Sequence, residues 1–277
     1  MDLSKALEIV TNSDKGMVRS HNEDAVFANP VAGFVVLADG MGGYNAGEVA
    51  SGMATALLGT ELEKSFTERA PYQVEPDGRL WAQVVLETEI ARANGAIYQA
   101  AQSQPQYAGM GTTLVMAVFH NNSVTVAHIG DSRLYRLRGE EFGPVTRDHS
   151  LLQEQIDSGM LTAEQARHSQ NKNLVTRALG VDPTVEPEIR HYDVQPGDIY
   201  LLCSDGLNDM VEDDEISMTL QALAANLELC ATQLVQMAND NGGRDNVSVI
   251  LVRVREEFPA PTHGLGGWLA RLLAWFK

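Results

Sequence analysis

Positive charge is scarce in this chain of 277 residues: 20 Lys and Arg stand against 37 Asp and Glu, a formal net charge of -17. Nucleic acid is thereby excluded as the main partner, because phosphate backbones require clustered cations. The same shortage argues against broad binding to anionic membranes. Cysteine is scarcer still. Cys203 and Cys230 lie far apart in no metal-ligand spacing and read as two reduced, buried thiols of a reducing compartment. A cysteine-phosphatase role for Cys203 is excluded as well. That chemistry needs a phosphate-cradling loop closed by an arginine a few residues on, and this chain continues Ser204-Asp205-Gly206-Leu207-Asn208-Asp209. No apolar run reaches the roughly 18 residues of a membrane span. The start, Met1-Asp2-Leu3-Ser4-Lys5, lacks a basic region followed by an apolar stretch, so no secretion signal is expected and the expected compartment is the cytoplasm. Internal repeats and low-complexity tracts are also lacking.

What is present is an ordinary globular composition, 44% hydrophobic and 21% charged, long enough for a sizeable core. Residues 6–12, 25–29 and 33–38 read as strands, the last a continuous apolar run. Val49, Met53, Leu57, Leu58 and Leu62 recur at helical spacing, and a second helical stripe at 79–102 carries Leu80, Val84, Val85, Ile90 and Ile97. Strands return at 112–119, 123–128 and 133–137; turns at Asn121-Asn122 and Gly130-Asp131 predict an antiparallel meander of hairpins. A polar insert with short helical patches covers 148–180, followed by a strand at 198–203, helices near 213–223 and 227–240, and a last strand at 246–254. Runs of strands and runs of helices predict an α+β fold rather than strict βαβ alternation. Two sheets face to face with helices on both outer faces would use every apolar stripe.

Four aspartates stand at strand ends or turns. Asp39 and Asp205 each follow an apolar strand and precede glycine, Asp245 heads the final strand, and Asp131 sits in the turn after 123–128. One Asp-Gly pair is an ordinary turn; the recurrence is what points to a cluster. If the strands lie side by side, the carboxylates meet at one end of a sheet, where like charges repel unless cations sit among them. Hard oxygen donors of this kind suit Mg²⁺ or Mn²⁺. Two such ions sharing a carboxylate lower the pKa of a water and orient it for in-line attack on phosphorus, and a guanidinium can grip phosphoryl oxygens beside them. Taken alone, the loop carrying Arg19, Glu23 and Asp24 reads as solvated surface charge.

The blocks Gly16-Met17-Val18-Arg19-Ser20-His21-Asn22-Glu23-Asp24, Ala38-Asp39-Gly40-Met41-Gly42-Gly43, Gly109-Met110-Gly111-Thr112-Thr113, His128-Ile129-Gly130-Asp131-Ser132-Arg133, Arg147-Asp148-His149-Ser150, Cys203-Ser204-Asp205-Gly206-Leu207 and Arg244-Asp245-Asn246-Val247-Ser248 occur in the order of a known family. The chain resembles the PP2C-like, metal-dependent serine/threonine protein phosphatases of bacterial type. The resemblance implies an α-β-β-α sandwich of two antiparallel sheets between helix pairs. It implies two to three Mn²⁺ or Mg²⁺ ions, Asp39 bridging a pair, the carbonyl of Gly40 lending an oxygen, and Asp205 and Asp245 completing the pair. Asp131 with Asp205 resembles the place of a third, weaker ion. Arg19 would bind substrate phosphate, and Glu23 and Asp24 would hold ion-bound waters. Eukaryotic relatives have a histidine where Met41 stands; a thioether donates no proton, so His21 is a candidate leaving-group acid by proximity only. The expected substrates are phosphoproteins, in opposition to a bacterial serine/threonine kinase. A catalytically silent sensing domain is one alternative. Another is a different metal hydrolase, whose sites mix histidines with carboxylates.

Residues 1–257 are expected to form one domain, with a flap over 148–175 beside the site. Residues 258–264 read as a linker, and 265–277 as a short amphipathic tail bearing Trp268, Leu269, Leu272 and Leu273. The tail either packs on the domain itself or docks on a partner or membrane surface, which would place the enzyme at the periphery of a membrane complex. A monomer is expected.

Overall fold

A strand buried on both faces must be apolar at every position, and the run beginning at Phe34 shows why. In a computed structural model describing residues 2–43, 45–162, 165 and 174–261, it forms β3 (Phe34–Met41). Successive side chains point to opposite faces. Phe34, Val36 and Ala38 pack against helices, whereas Val35 and Leu37 pack against a second sheet. The run at the other end of the chain, β11 (Val247–Val254), divides in the same way: Val249 and Leu251 face helices, Ile250 and Val252 the opposing sheet.

The remaining strands are β1 (Leu7–Asp14), β2 (Asp24–Asn29), β4 (Gly111–Thr112), β5 (Leu114–His120), β6 (Ser123–Ile129), β7 (Arg133–Arg138), β8 (Glu141–Pro144), β9 (Glu188–Asp193) and β10 (Ile199–Cys203). The helices are α1 (Ala46–Glu68), α2 (Trp81–Ser103), α3 (Leu151–Asp157), the single turn α4 (Asp205–Asn208), α5 (Asp213–Leu223) and α6 (Leu227–Asp240). Two antiparallel sheets result, ordered β1-β11-β10-β7-β8 and β2-β3-β5-β6-β9, with β4 paired to β3. One core layer lies between the sheets; α1 and α2 cover the second sheet, and α5 and α6 cover the first. This is the α-β-β-α sandwich expected from the element order.

Three local expectations need correction. The turn at Asn121-Asn122 is a hairpin with both residues left-handed, at φ 48° and 55°, as a two-residue turn of primed type requires. The turn at Gly130-Asp131 is not a hairpin. There the chain leaves β6 in one sheet and enters β7 in the other, so Asp131 sits in a crossover at the end of the sandwich. On α1 the fully buried stripe is Ala46, Ala50, Ala54, Leu58 and Leu62; Leu57 is exposed, and Val49 and Met53 are only partly covered. Alanine lets the helix lie close on β3, so the large side chains are not the ones most deeply placed. Strands β8 and β9 were absent from the sequence expectation. Both are edge strands, and β9, Glu-Ile-Arg-His-Tyr-Asp, has no buried residue and carries charge at Glu188, Arg190 and Asp193.

The flap expected at 148–175 begins with α3, capped by the Ser150 hydroxyl accepting the Gln153 N–H. Most of its later half, and the tail 265–277, lie outside the described residues. Among the described residues no helix is long and apolar enough to cross a membrane.

Candidate active site

Strand pairing fixes the first two carboxylates. Asp24 opens β2 and Asp39 lies directly opposite it near the end of β3. On the other sheet Asp205 begins α4, two residues after β10 ends, and Asp245 stands two residues before β11, the neighbour of β10. The aspartates therefore meet at one end, as the sequence suggested, but across the two sheets of the sandwich and not on one sheet alone. Asp131 enters from the crossover between the sheets and is 7% exposed.

The electrostatics record this convergence. Burial, then the charges of Asp24, Asp205, Asp131 and Asp245, raises the Asp39 carboxyl well above the usual carboxylate range. Asp205 is raised in the same way, by burial first and then by Asp131, Asp209, Asp245 and Asp24. Burial pushes Asp131 up to about 6, with Asp148 adding to the effect. Asp24 is also pushed up to about 6 by burial, against hydrogen bonds that favour its charged form, chiefly from Ser248 and Ser204. Glu23 is raised by burial, with Arg19 opposing. Among the described residues no Lys or Arg forms an ion pair with Asp24, Asp39, Asp131 or Asp205. The exception in the cluster is Asp245, whose Oδ2 accepts from Arg19 Nη2 at 2.7 Å. The Arg19 side chain is 51% exposed, so it stands at the solvent edge of the cluster.

Backbone and uncharged groups hold this repulsive set together. The Asp39 N–H donates to Thr113 Oγ1 at 3.1 Å, and its carbonyl accepts from the Thr113 N–H at 2.8 Å and from Thr112 Oγ1 at 2.8 Å. Ser204 Oγ donates to Asp24 Oδ2 at 2.8 Å and accepts from the Ser248 N–H at 3.0 Å, linking the two sheets. Asn246 fastens the Arg19 loop: its Nδ2 donates to the carbonyls of Lys15 and His21, and its Oδ1 accepts from the Glu23 N–H at 2.7 Å. Gly40 is confined; a Cβ there would collide with the carbonyls of Gly47 and Glu23. That crowding brings the start of α1 against the end of β3 and places the carbonyl of Glu23 within 3.1 Å of the Gly40 N–H.

Divalent cations fit this donor set. The donors are hard oxygens, their charges repel one another, and Asp24 Oδ1 is buried with no hydrogen-bond partner among the described residues. Asp39, Asp205 and Asp245 with the carbonyl of Gly40 would hold a close pair of ions, and Asp131 with Asp205 a further one. Met41 lies beside Gly111, with its terminal methyl and Val181 both close to the Gly111 backbone. His21 is exposed, and the contact that fixes it is through its carbonyl.

Sequence reasoning assigned no role to Thr113, Ser204, Asn246 or Asp209. The first three stood inside recognised blocks, and their pairing depends on strands far apart in sequence. Asp209 faces Asp205 and Asp131 from the end of α4 and was read only as a residue that is not arginine. A histidine group also forms beside the Asp131 crossover. Ligand-type atoms of His128, His149 and Glu188 lie within 4.8 Å of one another. A cavity of about 240 Å³ bordered by Val31, Phe66, Tyr72 and His120 lies at the far end of the β2–β3 hairpin and takes no part in this site.

The profile for protein phosphatase 2C matches residues 17–244. A serine/threonine protein phosphatase, PstP, of Mycobacterium tuberculosis is 39% identical over 248 residues, covering 90% of this chain and 45% of the relative. The chain thus spans about half the length of that relative. The serine/threonine phosphatase stp of Listeria welshimeri is 38% identical over 246 residues, covering 87% of this chain and 93% of the relative. The crystal structure of the catalytic domain of PstP in complex with two manganese ions superposes with a TM-score of 0.77 at 38% identity, covering 90% of this chain and 99% of that one. The chain belongs to the protein phosphatase 2C family.

Proposed function

We propose that this chain is a metal-dependent protein serine/threonine phosphatase, hydrolysing phosphoserine and phosphothreonine through the aspartate cluster at the end of its sandwich. One observation carries the reading: five aspartates from both sheets and their crossover are driven together, and among the described residues no arginine or lysine pairs with four of them. Bound divalent ions, Mn²⁺ or Mg²⁺, would supply Lewis acidity, lowering the pKa of a water and offsetting charge on phosphoryl oxygens. Asp39 would bridge the close pair, with Gly40, Asp205 and Asp245, and Asp131 would hold a third with Asp205. Glu23 and Asp24 would orient water at the rim. Arg19, exposed and reaching Asp245, is free to exchange that carboxylate for two oxygens of the substrate phosphate.

The substrates are phosphoproteins, and the enzyme opposes a serine/threonine kinase in the cytoplasm, acting as a monomer. The domain spans 1–257, and the tail at 265–277 is a docking segment for a partner or membrane surface. A silent sensing domain would be expected to lack one of these side chains, and the presence of Asp39, Asp131, Asp205 and Asp245 in the sequence supports the catalytic reading. The decisive experiment assays a phosphothreonine peptide with Mn²⁺, with chelator, and with Asp39→Asn. Turnover that needs the ion and vanishes in the variant is expected; phosphate release in chelator, or an active variant, overturns the proposal.

A further inference from the structure

We propose that His149 is a positioning residue that sets Asp131 for its ion by clamping the neighbouring Gly130. The inference rests on the reading of Asp131 as the holder of a third ion. Gly130 has φ +99°, which favours glycine, and a Cβ there would stand 2.8 Å from the Thr113 side chain. Both of its backbone groups go to His149. The Gly130 N–H donates to His149 Nδ1 at 3.2 Å, and the His149 N–H donates to the Gly130 carbonyl at 2.9 Å. On the other side of Asp131, Ser132 Oγ pairs with Thr113 Oγ1 at 2.7 Å, and Thr113 Oγ1 accepts the Asp39 N–H. One residue further, Arg133 is held bidentately by Asp148, through Nε to Oδ1 at 2.9 Å and Nη2 to Oδ2 at 2.7 Å.

Asp131 is therefore fixed from both flanks, and two of its three anchors, Asp148 and His149, belong to the root of the flap. That root is itself tied down: the Thr176 N–H donates to the His149 carbonyl at 2.8 Å, and the Leu151 N–H to the Leu174 carbonyl at 2.9 Å. A continuous hydrogen-bonded path thus runs from the flap's root, through the Asp131 turn, to Asp39.

The histidine group is better read as this clamp than as a further metal site. A backbone N–H can only donate, so His149 Nδ1 is the lone-pair nitrogen and Nε2 carries the proton. A protonated Nε2 does not bind a cation; it faces Glu188 Oε2 at 3.7 Å. His128 Nε2 lies 2.8 Å from the Arg147 carbonyl, and its ring stacks on that of His149 with centroids 4.6 Å apart. These contacts hold the imidazole so that Nδ1 faces Gly130.

Asparagine places its Oδ1 where histidine has Nδ1 and has no counterpart of Nε2, so it separates the clamp from the rest of the ring. Mn²⁺ binding to the purified protein, followed by electron paramagnetic resonance and calorimetry, is compared for wild type, Asp131→Ala, His149→Ala and His149→Asn, with thermal melting as a check of folding. Asp131→Ala is expected to lose the weakest Mn²⁺ and keep the tight pair. His149→Ala is expected to weaken that same ion by ~10-fold or more, the scale of losing a group that orients a ligand. His149→Asn is expected to restore most of it. Should Asp131→Ala lose the weak ion while folded His149→Ala binds it as wild type does, the clamp is refuted and Asp131 stands. Equal loss in the Ala and Asn variants refutes it too, because ring packing would then be what matters. An Asp131→Ala protein that keeps every ion removes the premise and the inference with it.

Discussion

Asp198, buried, and Asp39, half-buried, are the same residue type, and they are treated in opposite ways. Asp198 is 1% exposed and meets Arg138 in a fork: Nε donates to Oδ1 at 2.7 Å and Nη2 to Oδ2 at 2.6 Å. Asp148 is 12% exposed and is gripped by Arg133 in the same manner. Such pairs repay desolvation with charge-assisted hydrogen bonds. Among the described residues Asp39 and Asp205 form no ion pair with a guanidinium, and the charges of neighbouring aspartates raise both carboxyls further. A fold that neutralises its structural aspartates so thoroughly elsewhere leaves this group uncompensated, and that contrast marks the functional end of the molecule. Bound divalent ions would supply the compensating charge.

The comparison can be broken most directly at Asp39 or Asp205. Asp39→Asn and Asp205→Asn are each expected to cut turnover by about 10²–10³ or more, a loss typical of removing a main electrostatic contributor. In chelator the same variants are expected to melt higher than wild type, because each removes a charge from a repelling group. A melting point that falls instead would show that these carboxylates stabilise the fold as Asp198 does. Asp198→Asn should do the reverse, lowering stability by roughly 1–3 kcal/mol through the abandoned Arg138, discounted because that side chain is 25% exposed, with turnover of the folded fraction unchanged. Denaturant unfolding with activity per folded molecule measures both parts.

The pH dependence sharpens the same contrast. In the metal-free protein Asp24 and Asp131 titrate near 6, pushed up by burial, and Asp39 and Asp205 titrate well above the usual range. Unfolded aspartate titrates near 3.9. The folded state therefore holds more protons on these four carboxyls, so this cluster's contribution to stability is fully present below about 4 and is lost as pH rises through about 6 and beyond. Melting temperature in chelator is expected to fall over that window, and Mn²⁺ is expected to abolish the fall. A rise of melting temperature with pH in chelator would place the carboxylates in a stabilising environment and remove the argument for ions.

Smaller effects are expected at the rim. Arg19→Ala should raise KM for a phosphothreonine peptide by about 10-fold with a lesser change in kcat, since a surface guanidinium contributes mainly phosphate grip. An unchanged KM would assign Arg19 to Asp245 alone. Asn246→Ala should loosen the Arg19 loop and raise KM by a few-fold, the cost of about 1 kcal/mol for lost uncharged hydrogen bonds.

Much of the fold was legible because it follows from local pattern. The helices at 213–223 and 227–240 and the strands from 112 to 137 were placed within a residue or two, because apolar period and turn chemistry act over a few residues. Strand β9 was not, since a polar edge strand carries too little apolar signal. Asp131 was found, but its turn was taken for a hairpin; nothing in Gly130-Asp131 says whether the next strand pairs beside the last or crosses to another sheet. His149 and Asn246 were visible as letters in recognised blocks, yet their partners lie 19 and 223 residues away.

The order of acidic and glycine-rich blocks along the chain already determined the family and the sandwich and pointed to Asp39 and Asp205, because apolar strand ends followed by Asp-Gly declare themselves locally. Only the tertiary structure decided that these groups face one another across two sheets, which of them keep a guanidinium, and which neutral side chains hold them against repulsion. Those outcomes depend on packing between segments more than a hundred residues apart, and no local pattern carries that distance.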